Sequence, residues 1–293
     1  MTLATSNETA LTRAQEDAIA RAAAAVAEAD ALLIGAGAGM GVDSGLPDFR
    51  GNEGFWRAYP PIAALGISFS GMANPRWFRD DPRLAWGFYG HRLNLYRETR
   101  PHVGFALLQR WAASCPRGAF VFTSNVDGQF QRAGFSEEQV VECHGSIHYL
   151  QCSRPCSADI WSAAGARVEV EMATLRAAEP LPRCPRCDGL ARPNIMMFGD
   201  YGWHGERASA QESRRHEWLR ELGEGGRVVV IECGAGTAIP SVRMTCERVA
   251  SRTGGALIRV NPREAYGPRG TISLGLGAAR ALREIDARLP ATR

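Results

Sequence analysis

The chain of 293 residues is long enough for one large domain, or for a large domain with a smaller one. Its 45% hydrophobic and 22% charged residues are typical of a soluble globular protein, and a net charge of +3 is too weak to indicate a nucleic-acid-binding surface. No apolar run is long enough for a membrane helix, and the first residues do not follow the pattern of a signal peptide. We therefore expect a cytoplasmic protein that has neither nucleic acid nor membrane as a direct partner.

A helix, a strand and a glycine-rich turn are the first predicted elements. Thr12 and Gln15 form a capping-box pattern that opens an alanine-rich helix extending to about residue 29. The apolar run ALLI at residues 31–34 is typical of a buried strand, and GAGAG follows it at residues 35–39. Glycines placed after a strand let the backbone approach a phosphate, although a tight turn without a ligand has the same pattern.

The segment at residues 52–82 is rich in proline, glycine and aromatic residues and shows no period. These features predict a long functional loop or lid. Helical spacing of apolar residues then predicts two helices, at about residues 84–96 and 103–113.

Short apolar runs follow, and they predict strands at residues 119–122, 140–141, 227–231 and 256–260. Because these runs do not alternate with polar residues and are separated by helical stretches, they indicate an α/β fold. Such runs are typical of a doubly wound parallel sheet that is covered on both faces.

Small or polar residues follow each of the five predicted strands. The sequences are GAGAG after residue 34, TSNVD after residue 122, CHG after residue 142, ECGAGT after residue 231 and NP after residue 260. In a doubly wound sheet, ligands bind beyond the carboxyl ends of the strands. The five clusters therefore predict a single nucleotide-binding crevice.

Four cysteines form two short-spaced pairs, Cys152 with Cys156 and Cys184 with Cys187. Two such pairs a few tens of residues apart fit a tetrahedral zinc site. Four cysteine ligands leave no open coordination position, so we expect a structural metal. A redox pair formed by Cys184 and Cys187 is the alternative interpretation.

Five polar residues are candidates for the chemistry. His144 follows a strand at the crevice and could act as a general base, or it could be structural. Asn125 and Asp127 could both face a carboxamide, or they could form an Asx turn. Tyr89 and Arg92 share one face of a helix, where they could bind a carboxylate or form an ordinary surface pair.

Several motifs occur together in one order over residues 32–277. They are the cysteine quartet and the stretches GAGMGVDSGLPDFRG (37–51), TSNVDGQFQRAG (123–134), ECHGSIHYLQC (142–152), RPNIMMFGD (192–200), GAGTAIP (234–240) and VNP (260–262). In order and spacing the set resembles the sirtuins, the NAD-dependent protein lysine deacylases. The chain departs from the usual pattern of that family in several places: Gly41 stands where serine is common, and Ser124 where glutamine is common. The first cysteine pair has three intervening residues where two are common, and Ala238 stands where serine is often found.

The resemblance implies a division into two domains. Residues 1–56, 101–150 and 190–293 would form a Rossmann-like NAD-binding large domain. The small domain would combine a helical part at residues 57–100 with the four-cysteine zinc module at residues 151–189. NAD and an acylated lysine peptide would enter the cleft between the domains from opposite sides.

The resemblance also implies roles for individual residues. The cofactor-binding residues would be Gly37, Ala38, Gly39, Asp48, Phe49, Arg50, Ser124, Asn125, Asp127, Gly236, Thr237 and Asn261. His144 would be the catalytic base. The substrate-binding residues would be Tyr89, Arg92, Ile195, Met196, Phe198 and Gly199, and the segment 195–199 would pair with the peptide backbone as an added strand.

The implied reaction consumes NAD and gives nicotinamide, free lysine and O-acyl-ADP-ribose. Tyr89 and Arg92 match the Tyr-x-x-Arg pair of sirtuins that remove succinyl, malonyl or glutaryl groups, so we expect acidic-acyl activity with weaker or comparable removal of acetyl. An NAD glycohydrolase or ADP-ribosyltransferase using the same cleft is the alternative enzyme. A module that binds NAD without turnover is the non-enzymatic alternative.

Overall fold

The computed structural model describes residues 10–47, 51–223 and 225–290. The strands are β1 (Ala31–Ala36), β2 (Ala119–Thr123), β3 (Val140–Glu142), β4 (Gly145–Cys152), β5 (Ile160–Ser162), β6 (Val170–Glu171), β7 (Arg176–Ala177), β8 (Ala191–Ile195), β9 (Val228–Cys233), β10 (Ala256–Val260) and β11 (Ile272–Leu274). The α-helices are α1 (Arg13–Ala27), α2 (Gly51–Ala58), α3 (Pro60–Ala64), α4 (Phe69–Met72), α5 (Trp77–Asp80), α6 (Pro82–Glu98), α7 (Val103–Ser114), α8 (Gln129–Arg132), α9 (Glu206–Leu222), α10 (Ser241–Thr253) and α11 (Ala278–Asp286). Within the described ranges, no helix combines the length and the apolar character needed to span a bilayer.

The main sheet is parallel, with the strand order β3-β2-β1-β9-β10-β11. This is the order of a doubly wound dinucleotide-binding sheet, in which the chain reverses its winding between β1 and β9. The predicted α/β fold is therefore confirmed. Strand β10 has the predicted bounds, the other predicted strands end one or two residues later than expected, and β11 was not predicted.

Two helical layers cover the sheet. Helices α1, α7 and α11 pack on one face, where Leu32 and Ile34 of β1 lie in the core. Helices α9 and α10 pack on the other face against Ala31 and Leu33. Because β1 is buried on both sides, its sequence is a continuous apolar run. Thr12 caps α1 through the predicted capping box with Gln15.

A second apolar cluster joins α2–α6 to the antiparallel sheet β5-β4-β8. The loop predicted at residues 52–82 is wrong, because four short helices occupy this segment. Local sequence signals mark the start of two of them. Pro60 is the first residue of α3, and the Ser68 side chain caps α4 by accepting a hydrogen bond from the N–H of Gly71. Helices of four to eight residues are too short to show a hydrophobic period.

Candidate active site

A cleft of about 740 Å³ runs along the carboxyl edge of the main sheet, next to the second apolar cluster. Its walls come from the loops after β1, β2, β3 and β9, from one face of α6, and from the segment after β8. In a doubly wound sheet, ligands bind at the carboxyl ends of the strands, beside the point where the winding reverses, which here lies between β1 and β9. The predicted cofactor-loop residues Asp48, Phe49 and Arg50 lie outside the described residues.

Glycines after β1 and β9 bring two loops into close contact. The N–H of Gly39 donates to the carbonyl of Gly234 at 3.0 Å. A Cβ atom added to Gly37 would lie 2.7 Å from Cα of Ala235, and one added to Gly39 would lie 2.7 Å from Cα of Gly234. These glycines are therefore required for close packing of the loops. Gly37 and Ala38 line the cleft, whereas Gly39 packs behind them.

The loop after β2 places two polar side chains in the cleft. Nδ2 of Asn125 donates to the carbonyl of Gly37 at 3.0 Å, and Oδ1 of Asp127 accepts from the N–H of Gln129 at 3.0 Å. An Asx turn at Asp127 and the placement of both side chains in the crevice therefore occur together. Burial raises the pKa of Asp127 to about 6. Its neighbour Ser124 also lines the cleft.

His144 lines the cleft directly after β3. Burial lowers the pKa of its imidazole, and a hydrogen bond with the backbone of Ser124 opposes this change. The imidazole is therefore neutral at pH 7 and can accept a proton. Cys143 packs away from the cleft, against the layer that contains Trp218, and burial raises its thiol pKa to about 12. A thiol in this state is a poor nucleophile.

His148 supports the loop that carries Asp127. Its Nε2 lies 2.9 Å from the carbonyl oxygen of Asp127, and burial lowers the pKa of its imidazole. A neutral His148 with its proton on Nε2 donates this hydrogen bond. His148 therefore holds the backbone of the loop after β2 from behind the cleft.

One face of α6 forms the other end of the cleft. Tyr89 and Arg92 are 1% and 7% exposed, so the interpretation as a surface pair is wrong. Tyr96 lies on the same face, and its hydroxyl accepts from Nε of Arg92 at 3.0 Å and from Nη2 at 2.8 Å. Sequence reasoning missed Tyr96, although the intervals of three and four residues between Tyr89, Arg92 and Tyr96 are helical spacing.

The hydroxyl of Tyr89 is buried, and it has no hydrogen-bond partner among the described residues. Burial raises the pKa of this phenol to about 12, so the group remains a protonated donor. A buried polar group without a partner is costly unless a ligand satisfies it. The cleft therefore presents a phenol donor and a guanidinium at its α6 end.

The segment after β8 borders the same end. Ile195 pairs with Gly145, and the side chains of Met196 and Phe198 are each 41% exposed. The N–H of Met196 donates to the carbonyl of His144, and that of Phe198 donates to the carbonyl of Ala73, both at 2.9 Å. An added peptide strand would therefore have to use other backbone groups of residues 195–199.

The loop after β9 forms another part of the cleft wall, and the loop after β10 packs against it. Gly236 lines the cleft. Oγ1 of Thr237 donates to Oε1 of Glu264 at 2.6 Å, and Nδ2 of Asn261 donates to the carbonyl of Ala235 at 2.9 Å. Asn261 is fully buried, and neither it nor Thr237 is among the residues that line the cleft. In this structure both residues hold the loops that border the cleft.

The four predicted metal ligands lie together. All four Sγ atoms of Cys152, Cys156, Cys184 and Cys187 lie within 4.8 Å of one another. The Sγ–Sγ distance is 3.7 Å between Cys152 and Cys187, and 3.6 Å between Cys156 and Cys184. Tetrahedral zinc with Zn–S bonds of about 2.3 Å requires sulfur–sulfur distances of about 3.8 Å, whereas a disulfide requires about 2.05 Å. The cluster fits a structural zinc site.

Comparison with known families agrees with this geometry. The model of the Sir2 family matches residues 37–230, about two thirds of the chain. The chain belongs to the Sir2 family. It is 30% identical over 230 residues to NAD-dependent protein deacylase 1 of Archaeoglobus fulgidus, covering 77% of this chain and 78% of that relative. It is 29% identical over 225 residues to an NAD-dependent protein deacylase of Aquifex aeolicus, with 77% and 80% covered.

Solved structures show the same fold. A Sir2 homologue crystallised as a complex with NAD superposes with a TM-score of 0.69 at 24% identity, covering 92% of this chain and 93% of that one. A mutant Sir2 homologue in complex with ADP-ribose superposes with a TM-score of 0.66 at 25% identity, with 92% and 95% covered. The Rossmann-like sheet and the cysteine module described above are therefore those of a Sir2-type fold.

Proposed function

We propose that this Sir2-family protein is an NAD-dependent protein lysine deacylase. One observation carries the proposal: the neutral, half-buried His144 faces the same cleft as the glycine loops after β1 and β9. A base placed beside a dinucleotide site fits a reaction in which the ribose of the cofactor takes part. Two Sir2-family relatives of similar length are named as NAD-dependent protein deacylases, which supports the same reaction.

The cleft has the groups that NAD binding needs. We propose that the loop at Gly37 and Ala38 approaches the pyrophosphate, because both residues line the cleft without bulky side chains. Asn125 and Asp127 would bind the carboxamide of the nicotinamide group. NAD bound here would supply an electrophilic ribose carbon, C1′, with nicotinamide as the leaving group. The large and small domains would meet along this cleft, with the boundaries predicted from the sequence.

His144 would act after the acyl oxygen of the substrate has replaced nicotinamide. Its neutral imidazole accepts the proton of a ribose hydroxyl, which makes that oxygen nucleophilic toward the acyl carbon. Partial burial of His144 lowers the pKa of its imidazole, which favours the unprotonated form near pH 7. The C–N bond to lysine would then break, with lysine leaving as the free amine, and water would supply the oxygen that leaves the acyl group on the ribose as an ester.

We further propose that the preferred acyl group carries a carboxylate, as succinyl, malonyl and glutaryl groups do. The hydroxyl of Tyr89, which has no partner among the described residues, and the buried guanidinium of Arg92 face the α6 end of the cleft. A carboxylate at this position would accept a hydrogen bond from the phenol and form an ion pair with the guanidinium. An acetyl group offers neither interaction.

Nicotinamide release tests the proposed reaction against its alternative. The purified protein is incubated with NAD, with and without a succinyl-lysine peptide and an acetyl-lysine peptide. A deacylase releases nicotinamide only when an acyl peptide is present, and one lysine is freed for each nicotinamide. Release without a peptide would instead identify an NAD glycohydrolase or an ADP-ribosyltransferase.

A further inference from the structure

We propose that Tyr96 is a positioning residue for acidic acyl groups, because its hydroxyl orients the Arg92 guanidinium while leaving the positive charge intact. This inference rests on the proposed function, since it concerns the acyl end of the same cleft. It adds a third member to the pair recognised from the sequence. Tyr96 acts through Arg92, which would contact the acyl carboxylate.

The hydrogen-bond geometry fixes the direction of the guanidinium. Tyr96 Oη receives two donors, Nε and Nη2 of Arg92, at 3.0 and 2.8 Å. A guanidinium carries its five N–H groups in a rigid planar fork with two edges that can bind an oxygen pair. Because Tyr96 binds the Nε–Nη2 edge, an acyl carboxylate that binds Arg92 through two oxygens would use the Nη1–Nη2 edge.

A phenol differs from the usual partner of a buried arginine in its charge. A carboxylate side chain at position 96 would bind the same edge, but it would neutralise Arg92 and repel an acidic acyl group. Burial raises the pKa of Tyr96, so its oxygen remains part of a neutral phenol near pH 7. Tyr96 therefore supplies a hydrogen-bond acceptor without supplying a counter-charge.

Aromatic rings surround the same guanidinium. Cζ of Arg92 lies 5.2 Å from the ring centroid of Phe88, 5.8 Å from that of Tyr89 and 5.4 Å from that of Tyr96. Rings at these distances attract the cation, and they also exclude water from it. An ion pair with an acyl carboxylate is stronger in such surroundings than in water. Its strength depends on the orientation of the guanidinium, because charge-assisted hydrogen bonds require aligned N–H groups.

Tyr96 is itself held in place by Gln129, which follows the loop after β2. Nε2 of Gln129 lies 3.3 Å from the carbonyl oxygen of Tyr96 and 3.4 Å from that of Thr99, so it donates to the last turn of α6. Gln129 begins α8 directly after the Asp127 loop. The end of α6 that carries Tyr96 is therefore tied to the loop that would bind nicotinamide.

Tyr96→Phe tests the inference because it removes the hydroxyl and keeps the ring. Steady-state rates are measured for succinyl-lysine and acetyl-lysine versions of one peptide, and the affinity of each peptide is measured by calorimetry. Hydrogen bonds to a charged group make large contributions, so we expect KM for the succinyl peptide to rise about tenfold. Its kcat, the KM for NAD and both constants for the acetyl peptide should change less than about twofold.

Tyr149→Phe is the matched control. It removes a phenol hydroxyl that binds a charged group, the Glu137 carboxylate, outside the cleft. This variant should behave as the wild type does. Thermal melting of both variants shows whether the fold is retained, and the calorimetric affinity ratio of the two peptides gives the answer even if turnover is slow.

The outcomes separate the inference from the function on which it rests. If the wild type does not favour the succinyl peptide, the proposed acyl class is wrong and the role of Tyr96 is wrong with it. If the wild type favours the succinyl peptide but Tyr96→Phe retains that preference, only the inference about Tyr96 is overturned. An equal loss for both peptides would identify Tyr96 as merely structural, which also overturns the inference.

Discussion

The two ends of the cleft are built in different ways. The proposed nicotinamide end consists of the loops after β2 and β3 at the carboxyl edge of the parallel sheet, where Asn125, Asp127 and His144 are held mainly by backbone hydrogen bonds. The acyl end is one face of α6, where Tyr89 and Arg92 are held by aromatic packing and by the Tyr96 hydroxyl. The first end depends on the whole sheet, whereas the second depends on spacing within a single helix.

This difference predicts which substitutions act on every substrate and which act on one class. Groups at the nicotinamide end would serve chemistry that is common to all acyl peptides. Groups at the acyl end would distinguish one acyl group from another. The four predictions below test this separation, from the largest expected effect to the smallest.

Loss of the metal site should affect both ends alike. Cys152 ends β4, which begins at Gly145 beside His144, and Trp86 of α6 donates to the carbonyl of Ala191 in the neighbouring strand β8. We expect Cys184→Ser to lose its zinc, to melt at a much lower temperature and to lose activity on all peptides, since structural zinc contributes directly to folding. Metal analysis and thermal melting measure this, with Cys115→Ala, a change of a buried cysteine outside the cluster, as the control. A Cys184→Ser variant that retains one zinc and full activity would show that the cluster is not a zinc site.

His144→Ala should reduce kcat/KM by about 10²–10⁴ for succinyl and acetyl peptides alike, which is the usual contribution of a general base. The melting temperature should change little, because a small side chain at the cleft leaves the sheet intact. Steady-state assays on both peptides measure the effect. His216→Ala, at an exposed histidine of α9, is the control and should be fully active. A loss confined to one peptide would contradict the role of His144 as a common base.

Arg92→Met should act on one class of substrate only. We expect kcat/KM for the succinyl peptide to fall about 100-fold, because an acyl carboxylate would be buried without its charged partner. Activity on the acetyl peptide should stay within about threefold of the wild type. The ratio of the two kcat/KM values is the measurement, and Arg79→Met, at an exposed arginine paired with Asp80, is the control. An unchanged ratio would contradict the proposal that Arg92 binds the carboxylate of the acyl group.

The pH dependence should be the same for both peptides. His144 acts in its neutral form, and burial disfavours its cation, so activity is retained below the ordinary histidine pKa and is lost as the pH falls through the lowered value. We expect the acid limb of kcat/KM to have its midpoint below pH 6.5. Arg92 does not titrate in this range, so the succinyl and acetyl profiles should coincide.

Asp127 has a pKa of about 6, so it titrates close to this range as well. The Asp127→Asn variant separates the two groups, because its remaining acid limb reports His144 alone. A midpoint above pH 6.5 in this variant would contradict the lowered pKa of His144.

The sequence predicted the nicotinamide end better than the acyl end. The strand-end clusters at Asn125, Asp127 and His144 could be located because parallel strands place their carboxyl ends at one edge. The bonds within that edge could not be predicted, since the contact of Asn125 with Gly37 spans 88 residues. The spacing of Tyr89 and Arg92 allowed both a surface pair and a buried pair, and only packing decides between them.

The short helices and the role of Tyr96 could not be predicted from the sequence, for physical reasons. The helices α2–α5 are too short for a period, and they are stabilised by tertiary contacts such as the edge-on packing of Phe55 against Phe69 and Phe88. Tyr96 has the correct helical spacing, but a tyrosine on a helix is more often a packing residue. Its role depends on the direction of its hydroxyl, which no sequence pattern gives.

Mass spectrometry of the products formed from NAD and a mixture of succinyl-lysine and acetyl-lysine peptides tests the central claim most directly. The account predicts free lysine peptide, nicotinamide and O-acyl-ADP-ribose in equal amounts, with the succinyl product in excess. Nicotinamide formed while both acyl peptides remain intact would contradict it, and so would free lysine peptide formed without consumption of NAD.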